Sequence, residues 1–275
     1  MINKLELLRK DISSLVEEGV CIAFSGGVDS SLILKIACEE GTKMDKKVNA
    51  ITFESQLHPM SDLGVSKRVA LEMGAVHTII QINEFENEAI LKNPVDRCYQ
   101  CKKSLFVNLL DFAKKNNLKY VLDGTNDDDH NTYRPGIKAL KELGVISPLA
   151  KLGITKEEVR AMAKELGISV ASRPSAPCMA TRLPYNTPLN IELLGRIDKG
   201  EDYIRELGFS VIRLRLHNDI LRIEVNKEDL AKLLECSDKI INYLKKLGFR
   251  YITLDLEGFR SGSMDIYLDT NEKIS

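Results

Sequence analysis

Short apolar runs alternate with amphipathic segments through the first two thirds of the chain. The apolar runs are Val20–Phe24, Val48–Phe53, Thr78–Ile82 and Tyr120–Leu122. Their length and lack of charge are typical of strands that are buried on both faces. The segments between them repeat apolar residues at helical spacing, as Leu5, Leu8 and Ile12 do before the first run. This alternation predicts an α/β fold with a parallel sheet and helices on both of its faces.

The pattern changes near residue 185. Arg173–Tyr185 is interrupted by prolines and is too polar for a core segment, so we predict an active-site loop that also marks a domain boundary. The elements predicted beyond it are helix Asn190–Leu207, strands Val211–Leu216 and Leu221–Val225, helices Glu228–Glu235 and Ser237–Leu247, and strands Tyr251–Leu256 and Met264–Leu268. We therefore expect a parallel-sheet domain over residues 1–185 and a smaller α+β domain over residues 186–275, frayed after Thr270.

Composition narrows the class of protein. The chain has 275 residues, 44% of them hydrophobic and 29% charged, which is typical of a globular protein. A net charge of −1 gives no sign of a general nucleic-acid surface. No run approaches 18 apolar residues, and the N-terminus has the pattern of an amphipathic helix and not of a signal peptide. We expect a cytoplasmic protein with no membrane partner, in which clustered cysteines serve a metal or chemistry.

The first apolar run ends in a glycine turn. Ser25-Gly26-Gly27 joins it to a helix that begins near Asp29 and Ser30. Glycines let a backbone approach a phosphate closely, and a helix N-terminus binds anions, while Asp29 is placed to hold Mg²⁺. GxxxxGK[ST] is absent, so this is not a Walker A loop. SGGxDS resembles the PP-loop of ATP pyrophosphatases, which cleave ATP between the α- and β-phosphates; the alternative is a tight turn without a ligand.

Two further strand ends are candidates for binding ATP. Phe53 ends the second run, where we expect the adenine to lie. Gly124 and Thr125 belong to the DGTN turn after the fourth run, which suits ribose or phosphate contacts but also an Asx-type turn. The carboxylates of Asp127–Asp129 are expected to bind magnesium or to serve a structural role, and the alternative is a solvated acidic run. Arg134 is either a cation for the triphosphate or part of a surface ion pair.

Three of the six cysteines are candidates for metal or sulfur chemistry. Cys98 and Cys101 form a CxxC motif, which alone fits a redox pair, half of a zinc site or part of an iron–sulfur site. Cys178 lies in the proline-rich loop. Three thiolates without a fourth match a 4Fe–4S cluster with one open iron. In the alternative, only Cys178 takes part in the chemistry and Cys98 and Cys101 have no role in it. The remaining cysteines, Cys21, Cys38 and Cys236, are predicted to serve packing.

Five segments together resemble one family. They are SGGVDSS at residues 25–31, NPxxRCxxCKxxLF at 93–106, DGTNxDD at 123–129, RPxxPCxxxRxPY at 173–185 and RLRLHxxxxRIEV at 213–225. They resemble the LarE family, which inserts sulfur during synthesis of the nickel-pincer nucleotide cofactor of lactate racemase. The resemblance implies that ATP adenylates the carboxylates of pyridinium-3,5-biscarboxylic acid mononucleotide. Sulfur then displaces AMP from each carboxylate.

The resemblance also implies roles for particular residues. In one form of the family a lone cysteine at the position of Cys178 gives up its own sulfur. In the other form, Cys98, Cys101 and Cys178 hold a 4Fe–4S cluster whose open iron carries sulfide, and this chain has all three cysteines. The residues implied to bind the anionic substrate are Arg182, Arg213 and Arg215, together with Glu201 and Glu224. Each arginine has a surface or interface ion pair as its alternative, and each glutamate a position on the surface of a helix or strand.

Thr181 and Asn186 depart from the family pattern, which has Ser and Gly there. The first change keeps the hydroxyl, and the second bears on the turn after Tyr185. Homo-oligomers, from dimers to trimers of dimers, are also implied, with a sulfide or other sulfur donor as partner.

Other function classes remain open from the sequence. A PP-loop tRNA thiolase also combines adenylation with cysteines, but the net charge and the absence of an RNA-binding segment argue against it. An amidotransferase or NAD synthetase leaves the cysteines unexplained. A nucleotide-binding sensor with a zinc or redox CxxC is the non-enzymatic alternative.

Overall fold

The computed structural model describes residues 3–131, 133–174, 177–260 and 262–265. The chain divides into two compact units. Met1–Glu84 and Asp96–Ala176 form the first, and Phe85–Val95 joins Pro177–Ser275 in the second. These units divide between residues 176 and 177, while the domain border between residues 185 and 186 stays a prediction.

Eleven α-helices and seven strands lie within the described ranges. The helices are α1 Lys4–Glu18, α2 Val28–Lys43, α3 Met60–Glu72, α4 Glu88–Leu91, α5 Arg97–Lys115, α6 Gly136–Glu142, α7 Pro148–Lys151, α8 Lys156–Glu165, α9 Ile191–Glu206, α10 Leu230–Glu235 and α11 Ser237–Lys246. The strands are β1 Val20–Ala23, β2 Asn49–Ser55, β3 Val76–Ile82, β4 Tyr120–Leu122, β5 Ile212–His217, β6 Ile220–Val225 and β7 Tyr251–Leu254. No described helix is both long and apolar enough to cross a lipid bilayer.

The first unit contains the predicted parallel sheet. Its strand order is β3-β2-β1-β4, and all three neighbouring pairs are parallel. Cys21 of the central strand β1 lies opposite Asn49 on one side and Val121 on the other. The carboxyl ends of parallel strands share one edge of the sheet, so β1, β2 and β4 deliver the segments that follow them to the same edge.

Helices cover both faces of this sheet, as predicted. On one face Leu8 and Ile12 of α1 pack with Leu32 of α2 and Ile22 of β1. On the other face Leu109 of α5 belongs to a second buried cluster, in which the remaining members include Cys21, Ile51, Phe106 and Leu140. Alternate residues of one strand therefore enter opposite cores, which explains why the strand sequences are apolar throughout.

The second unit contains a small mixed sheet. Its order is β5-β6-β7, with β5 antiparallel to β6 and β6 parallel to β7. Helix α9 lies close to β5, since a Cβ atom added at Gly200 would be 2.7 Å from Leu214 Cδ1. The predicted α+β pattern is confirmed up to β7. Met264 and Asp265 form a turn and not a strand, and residues 266–275, including the segment after Thr270, lie outside the described residues.

The proline-rich loop differs from its prediction. A short 3₁₀ turn, Met179–Arg182, lies inside it, and Met179, Ala180 and Leu183 are buried. Arg182 is also buried, because the carboxylate of Glu201 neutralises its charge within the core. The expectation that this segment is too polar to enter a core is therefore wrong for residues 179–183.

Candidate active site

The predicted phosphate loop closes tightly between β1 and α2. Gly26 has φ of 72°, and a Cβ atom added there would lie 3.0 Å from Ser66 N and Cα. Within the loop, Ser25 N donates to Ser30 Oγ at 3.3 Å, and Gly27 N donates to Ser25 Oγ at 3.3 Å. Gly27 is the N-cap of α2 and brings no side-chain cap, so the first turn of that helix keeps backbone donors for an anion.

The DGTN turn after β4 lies directly against the start of α2. A Cβ atom added at Gly124 would be 2.9 Å from Ser30 N and 3.2 Å from Asp29 Cβ. Only glycine allows this approach without a shift of the backbone. The structure therefore brings together two sequence-predicted candidates, the serine–glycine loop and Gly124, that lie about a hundred residues apart.

Asp29 is the centre of a polar cluster at this edge of the sheet. Asn126 Nδ2 donates to Asp29 Oδ1 at 3.0 Å, and the ammonium of Lys156 forms an ion pair with Asp29 Oδ2. The sequence analysis missed Lys156. Its signal was the capping box of α8, because Thr155 caps that helix and places Lys156 as its first residue.

Asp123 organises a second polar cluster beside the first. Its buried carboxylate accepts hydrogen bonds from Thr125 Oγ1 at 2.6 Å and from the hydroxyl of Ser147. Lys102 Nζ lies 3.4 Å from Asp123 Oδ2. Lys102 is one helical turn after Cys98 in α5, so the start of the CxxC helix is tied to the DGTN turn.

Two buried oxygen atoms at this edge suit ATP and Mg²⁺. Ser31 Oγ and Asn126 Oδ1 are buried and have no hydrogen-bond partner among the described residues. The Asp29 carboxylate and the Asn126 amide oxygen are of the kinds that Mg²⁺ binds. The hydroxyl of Ser31, near the N-terminus of α2, can donate to a phosphate. The residues at this edge therefore fit a magnesium–nucleotide complex.

The other predicted ATP contacts have the following surroundings. Phe53 is half-buried and packs against the second core cluster. Arg134 is exposed and its Nη2 lies 3.0 Å from Asp129 Oδ1, which is the surface ion pair named as its alternative. Asp129 also accepts from Asn126 N at 3.1 Å, and Asp128 accepts from Lys156 N at 2.7 Å. The acidic run thus supports the turn and the start of α8, while contacts of Arg134 and Phe53 with ATP stay predictions.

Phe24, the residue that follows β1, is fixed by β2 and β3. Thr52 Oγ1 donates to the carbonyl of Phe24 at 2.7 Å, so its remaining contact, with His77 Nε2 at 2.8 Å, makes the imidazole the donor. Burial, with a smaller effect from Lys67, lowers the pKa of His77. This chain of hydrogen bonds holds the residue that immediately precedes the phosphate loop.

Cys98 and Cys101 lie on the same side of the first turn of α5. Cys98 is exposed and Cys101 is half-buried. Nη2 of buried Arg97 donates to Cys98 Sγ at 3.6 Å. Burial raises the pKa of Cys21 to about 12 and that of Cys38 to about 11, which confirms the packing role of these two residues.

No three His, Cys, Asp or Glu side chains in the described ranges lie together in a way that could hold a metal ion. The CxxC pair offers two thiols of the right chemistry, and Cys178 belongs to the second unit. A cluster held by all three cysteines therefore stays a prediction.

In the second unit, Arg182 and Glu201 form a buried bidentate ion pair. Nε and Nη2 of Arg182 each donate to one oxygen of Glu201 at 2.8 Å. Glu201 also accepts from Leu214 N at 2.9 Å and from Arg205 Nη2 at 2.9 Å. Both partners are almost completely buried, at 1% and 0% exposure. The alternatives of a surface arginine and an exposed glutamate are therefore wrong for this pair.

A second buried pair lies on the neighbouring strands. Arg215 Nε donates to Glu224 Oε1 at 2.7 Å, and Arg222 Nη2 donates to the same oxygen at 2.8 Å. Glu224 Oε2 is buried and has no partner among the described residues. Arg213 is buried as well, with its guanidinium 5.2 Å from the centre of the Phe259 ring, and burial lowers its pKa to about 10. A cation and a buried oxygen here can both contribute to a polar ligand site.

Several known proteins are similar to this chain in sequence. The asparagine synthase family model matches residues 9–125. A pyridinium-3,5-bisthiocarboxylic acid mononucleotide synthase from Lactiplantibacillus plantarum is 37% identical over 246 residues, which cover 90% of this chain and 88% of that protein. An uncharacterised protein from Synechocystis sp. is 37% identical over 265 residues, 96% of this chain and 97% of that protein. A tRNA-specific 2-thiouridylase from Rickettsia bellii is 28% identical over 194 residues, 56% of this chain and 51% of that protein.

Proposed function

Since this chain belongs to the pyridinium-3,5-bisthiocarboxylic acid mononucleotide synthase family, we propose that it converts both carboxylates of pyridinium-3,5-biscarboxylic acid mononucleotide to thiocarboxylates. The chain is an ATP-dependent sulfurtransferase with a PP-loop domain. The observation that carries the proposal is the cluster of Asp29, Asn126 and Lys156 at the start of α2, beside the glycine loop. The product serves synthesis of the nickel-pincer nucleotide cofactor of lactate racemase.

The first half-reaction activates a carboxylate. A substrate carboxylate oxygen attacks the α-phosphorus of ATP, and the bond between the α- and β-phosphates breaks to release pyrophosphate. Backbone donors of the first turn of α2 and the ammonium of Lys156 stabilise the negative charge that gathers on the leaving pyrophosphate. Mg²⁺ bound by Asp29 and Asn126 would neutralise further phosphate charge. In this scheme Ser25, Gly26, Gly27 and Ser30 cradle phosphate, Gly124 and Thr125 contact the ribose or phosphate, Phe53 lies near the adenine, and Arg134 reaches the triphosphate.

The second half-reaction replaces AMP with sulfur. A sulfur nucleophile attacks the carbonyl carbon of the acyl adenylate, and the bond to AMP breaks, so the carboxylate becomes a thiocarboxylate. Cys178 is the cysteine that we assign to this step, because its turn contains buried Arg182 and accepts a hydrogen bond from buried Arg215 of β5. A 4Fe–4S cluster on Cys98, Cys101 and Cys178 would supply a binding site for sulfide delivered by an external donor.

The substrate carries a phosphate and two carboxylates, so its site needs cations. We propose that Arg213 contacts the phosphate, because a buried guanidinium binds such oxygens with little competition from water. Direct substrate contacts of Arg215, Glu201 and Glu224 are part of the same proposal. We further propose a homo-oligomer between dimer and hexamer, located in the cytoplasm, in keeping with six cysteines of which none forms a disulfide.

The experiment is pyrophosphate release from ATP by the anaerobically purified protein with and without the pyridinium substrate. Release that requires the substrate, with sulfur replacing one oxygen per carboxylate in the product mass, supports the proposal. Asp29→Asn should abolish release, whereas Asp45→Asn, at an exposed turn remote from the loop in sequence, should not. Release that is stimulated by tRNA and not by the pyridinium compound would establish a thiolase instead.

Iron analysis tests the cluster separately. Bound iron and sulfide that disappear in Cys98→Ala, while Cys236→Ala retains them, support the three-cysteine cluster. An active and iron-free protein in which Cys178 loses its sulfur at each turnover contradicts it.

A further inference from the structure

The carbonyl oxygen of Cys178 is held by hydrogen bonds from two neighbouring side chains. Thr181 Oγ1 donates to it at 2.8 Å, in addition to Thr181 N at 3.1 Å. Arg182 Nη1 lies 3.4 Å from the same oxygen and donates to the carbonyl of Pro177 at 3.1 Å. Arg182 Nη1 also lies 3.1 Å from Thr181 Oγ1. The guanidinium of Arg182 and the hydroxyl of Thr181 therefore hold the carbonyl groups on both sides of the Cys178 Cα atom, those of Pro177 and of Cys178 itself.

The guanidinium of Arg182 is itself immobilised. Its Nε and Nη2 are occupied by the two oxygens of Glu201, and its Nη1 is occupied by the turn, so all three nitrogens are engaged. Glu201 is fixed in turn by Leu214 N of β5 and by Arg205 of α9. Breaking this pair would leave a buried carboxylate without its partner, which is strongly unfavourable.

A second arginine holds the same turn from β5. Arg215 Nη1 donates to the carbonyl of Thr181 at 2.7 Å, while its Nε is held by Glu224. Arg182 and Arg215 thus donate hydrogen bonds to different carbonyls in and next to the turn 178–182, and each is held by its own buried glutamate. A planar guanidinium suits this role because it can bind a carboxylate and main-chain carbonyls at the same time.

We infer that Arg182, Arg215 and Thr181 are positioning residues that fix the main chain of Cys178, and that Arg182 does not bind the substrate. The inference rests on the proposed function for the chemical role of Cys178, but the arrangement itself does not. Each nitrogen of Arg182 donates to a protein acceptor and its side chain is only 1% exposed, so a substrate phosphate would have to displace Glu201 to reach the guanidinium fork. This separates Arg182 from Arg213, which remains the candidate for substrate contact.

The test measures how rapidly iodoacetamide alkylates Cys178 in the full-length, reduced and iron-free protein, by mass spectrometry of the peptide that contains it. Thr181→Val replaces the hydroxyl with a methyl group of similar volume. It should raise the alkylation rate about fivefold, which is the effect of losing one hydrogen bond. Thr181→Ser restores the hydroxyl and should return the rate to that of the original protein. Thr253→Val is the matched control, because Thr253 Oγ1 also donates to a main-chain carbonyl, that of Leu221, at 3.3 Å.

Arg182→Lys keeps the charge but loses the planar fork, and its effect on catalysis separates positioning from binding. With Arg182 as a positioning residue, kcat falls at least tenfold and KM for the pyridinium substrate changes less than threefold. A large rise in KM with unchanged kcat, or unchanged alkylation of Cys178 in Thr181→Val, overturns the inference.

The two readouts also separate this inference from the proposed function. If neither the original protein nor any variant acts on the pyridinium substrate, the proposed function is wrong, and the alkylation rates still decide whether these residues position Cys178. If Arg182→Lys does not fold, the Thr181 series alone decides it.

Discussion

Lys156 and Asp29 lie 127 positions apart in the chain and form an ion pair at the start of α2. Asn126 binds the other oxygen of the same carboxylate at 3.0 Å. The first residue of α8 therefore neutralises the acid that the phosphate loop supplies. If Mg²⁺ binds Asp29 as proposed, the ammonium of Lys156 would become available for phosphate oxygens, and the pair would link metal binding to nucleotide binding.

Lys156→Gln should weaken the binding of ATP and pyrophosphate. A hydrogen bond to a charged group contributes about 1.5–3 kcal/mol, which corresponds to roughly a 10- to 100-fold loss of affinity. Isothermal titration with Mg²⁺ and a non-hydrolysable ATP analogue measures this directly. Lys151→Gln is the control, because Lys151 is an exposed residue of α7 that pairs with Asp11. Equal affinities for the two variants would remove Lys156 from the nucleotide site.

Gly124→Ala should disturb both stability and nucleotide binding. The added Cβ would lie 2.9 Å from Ser30 N, so the DGTN turn or the start of α2 must shift. Such overpacking typically costs about 1–3 kcal/mol of unfolding free energy. Urea denaturation and nucleotide titration report the two effects.

Gly64→Ala is the matched control for this substitution. Gly64 lies inside α3 and an added Cβ would meet no atom within 4 Å, so the variant should be as stable as the original or slightly more so. Nucleotide affinity at the original level in Gly124→Ala would contradict the close packing of turn and helix.

Alkylation should distinguish three of the four cysteines of the first unit, Cys98, Cys21 and Cys38. At pH 8 iodoacetamide should modify exposed Cys98 well before Cys21 and Cys38. Burial raises the pKa of these two thiols to about 12 and about 11, so both stay protonated and shielded. Peptide mass spectrometry over time gives the order, and unfolding in urea should make all three react. Early modification of Cys21 in the folded protein would contradict its place in the core.

His77 should make the first unit less stable in mild acid. Its pKa in the folded protein is lowered, chiefly by burial, from the value of 6.5 for an unperturbed histidine. As the pH falls through 6.5 the unfolded chain gains a proton that the folded chain does not, so the free energy of unfolding decreases until the folded pKa is reached. Above 6.5 this contribution is fully present.

Denaturation in urea between pH 7.5 and 5.5 tests the effect. His77→Gln should flatten the dependence of unfolding free energy on pH relative to the original protein. His217, whose pKa is also lowered by burial and by Arg222, is the second contributor, so His77→Gln with His217→Gln should flatten it further. An unchanged slope in both variants would be the contrary result.

The sequence alone predicted the parallel sheet and the phosphate loop. Buried strands have continuous apolar runs, and helices repeat apolar residues every three or four positions, so local spacing was sufficient for β1, α2 and β4. SGGxDS predicted an anion site because glycine and a helix N-terminus act locally. The error at Met179–Leu183 has the opposite cause. An arginine can enter a core when a glutamate from a distant helix neutralises it, and a window of sequence does not include that glutamate.

Only the tertiary structure decided which residues form ion pairs and hydrogen bonds with Asp29 and Arg182. Lys156, which pairs with Asp29, belongs to a helix whose sequence showed only a capping box. Asn126, which donates to Asp29, belongs to a turn after another strand. The sequence predicted Arg182 as a substrate-binding cation, and the structure shows its nitrogens donating to Glu201 and to the carbonyls around Cys178. Hydrophobic periodicity determines which segments are buried, because burial depends on averages over several residues. Ion pairs depend on single atoms meeting within about 3 Å, and only the folded chain brings those atoms together.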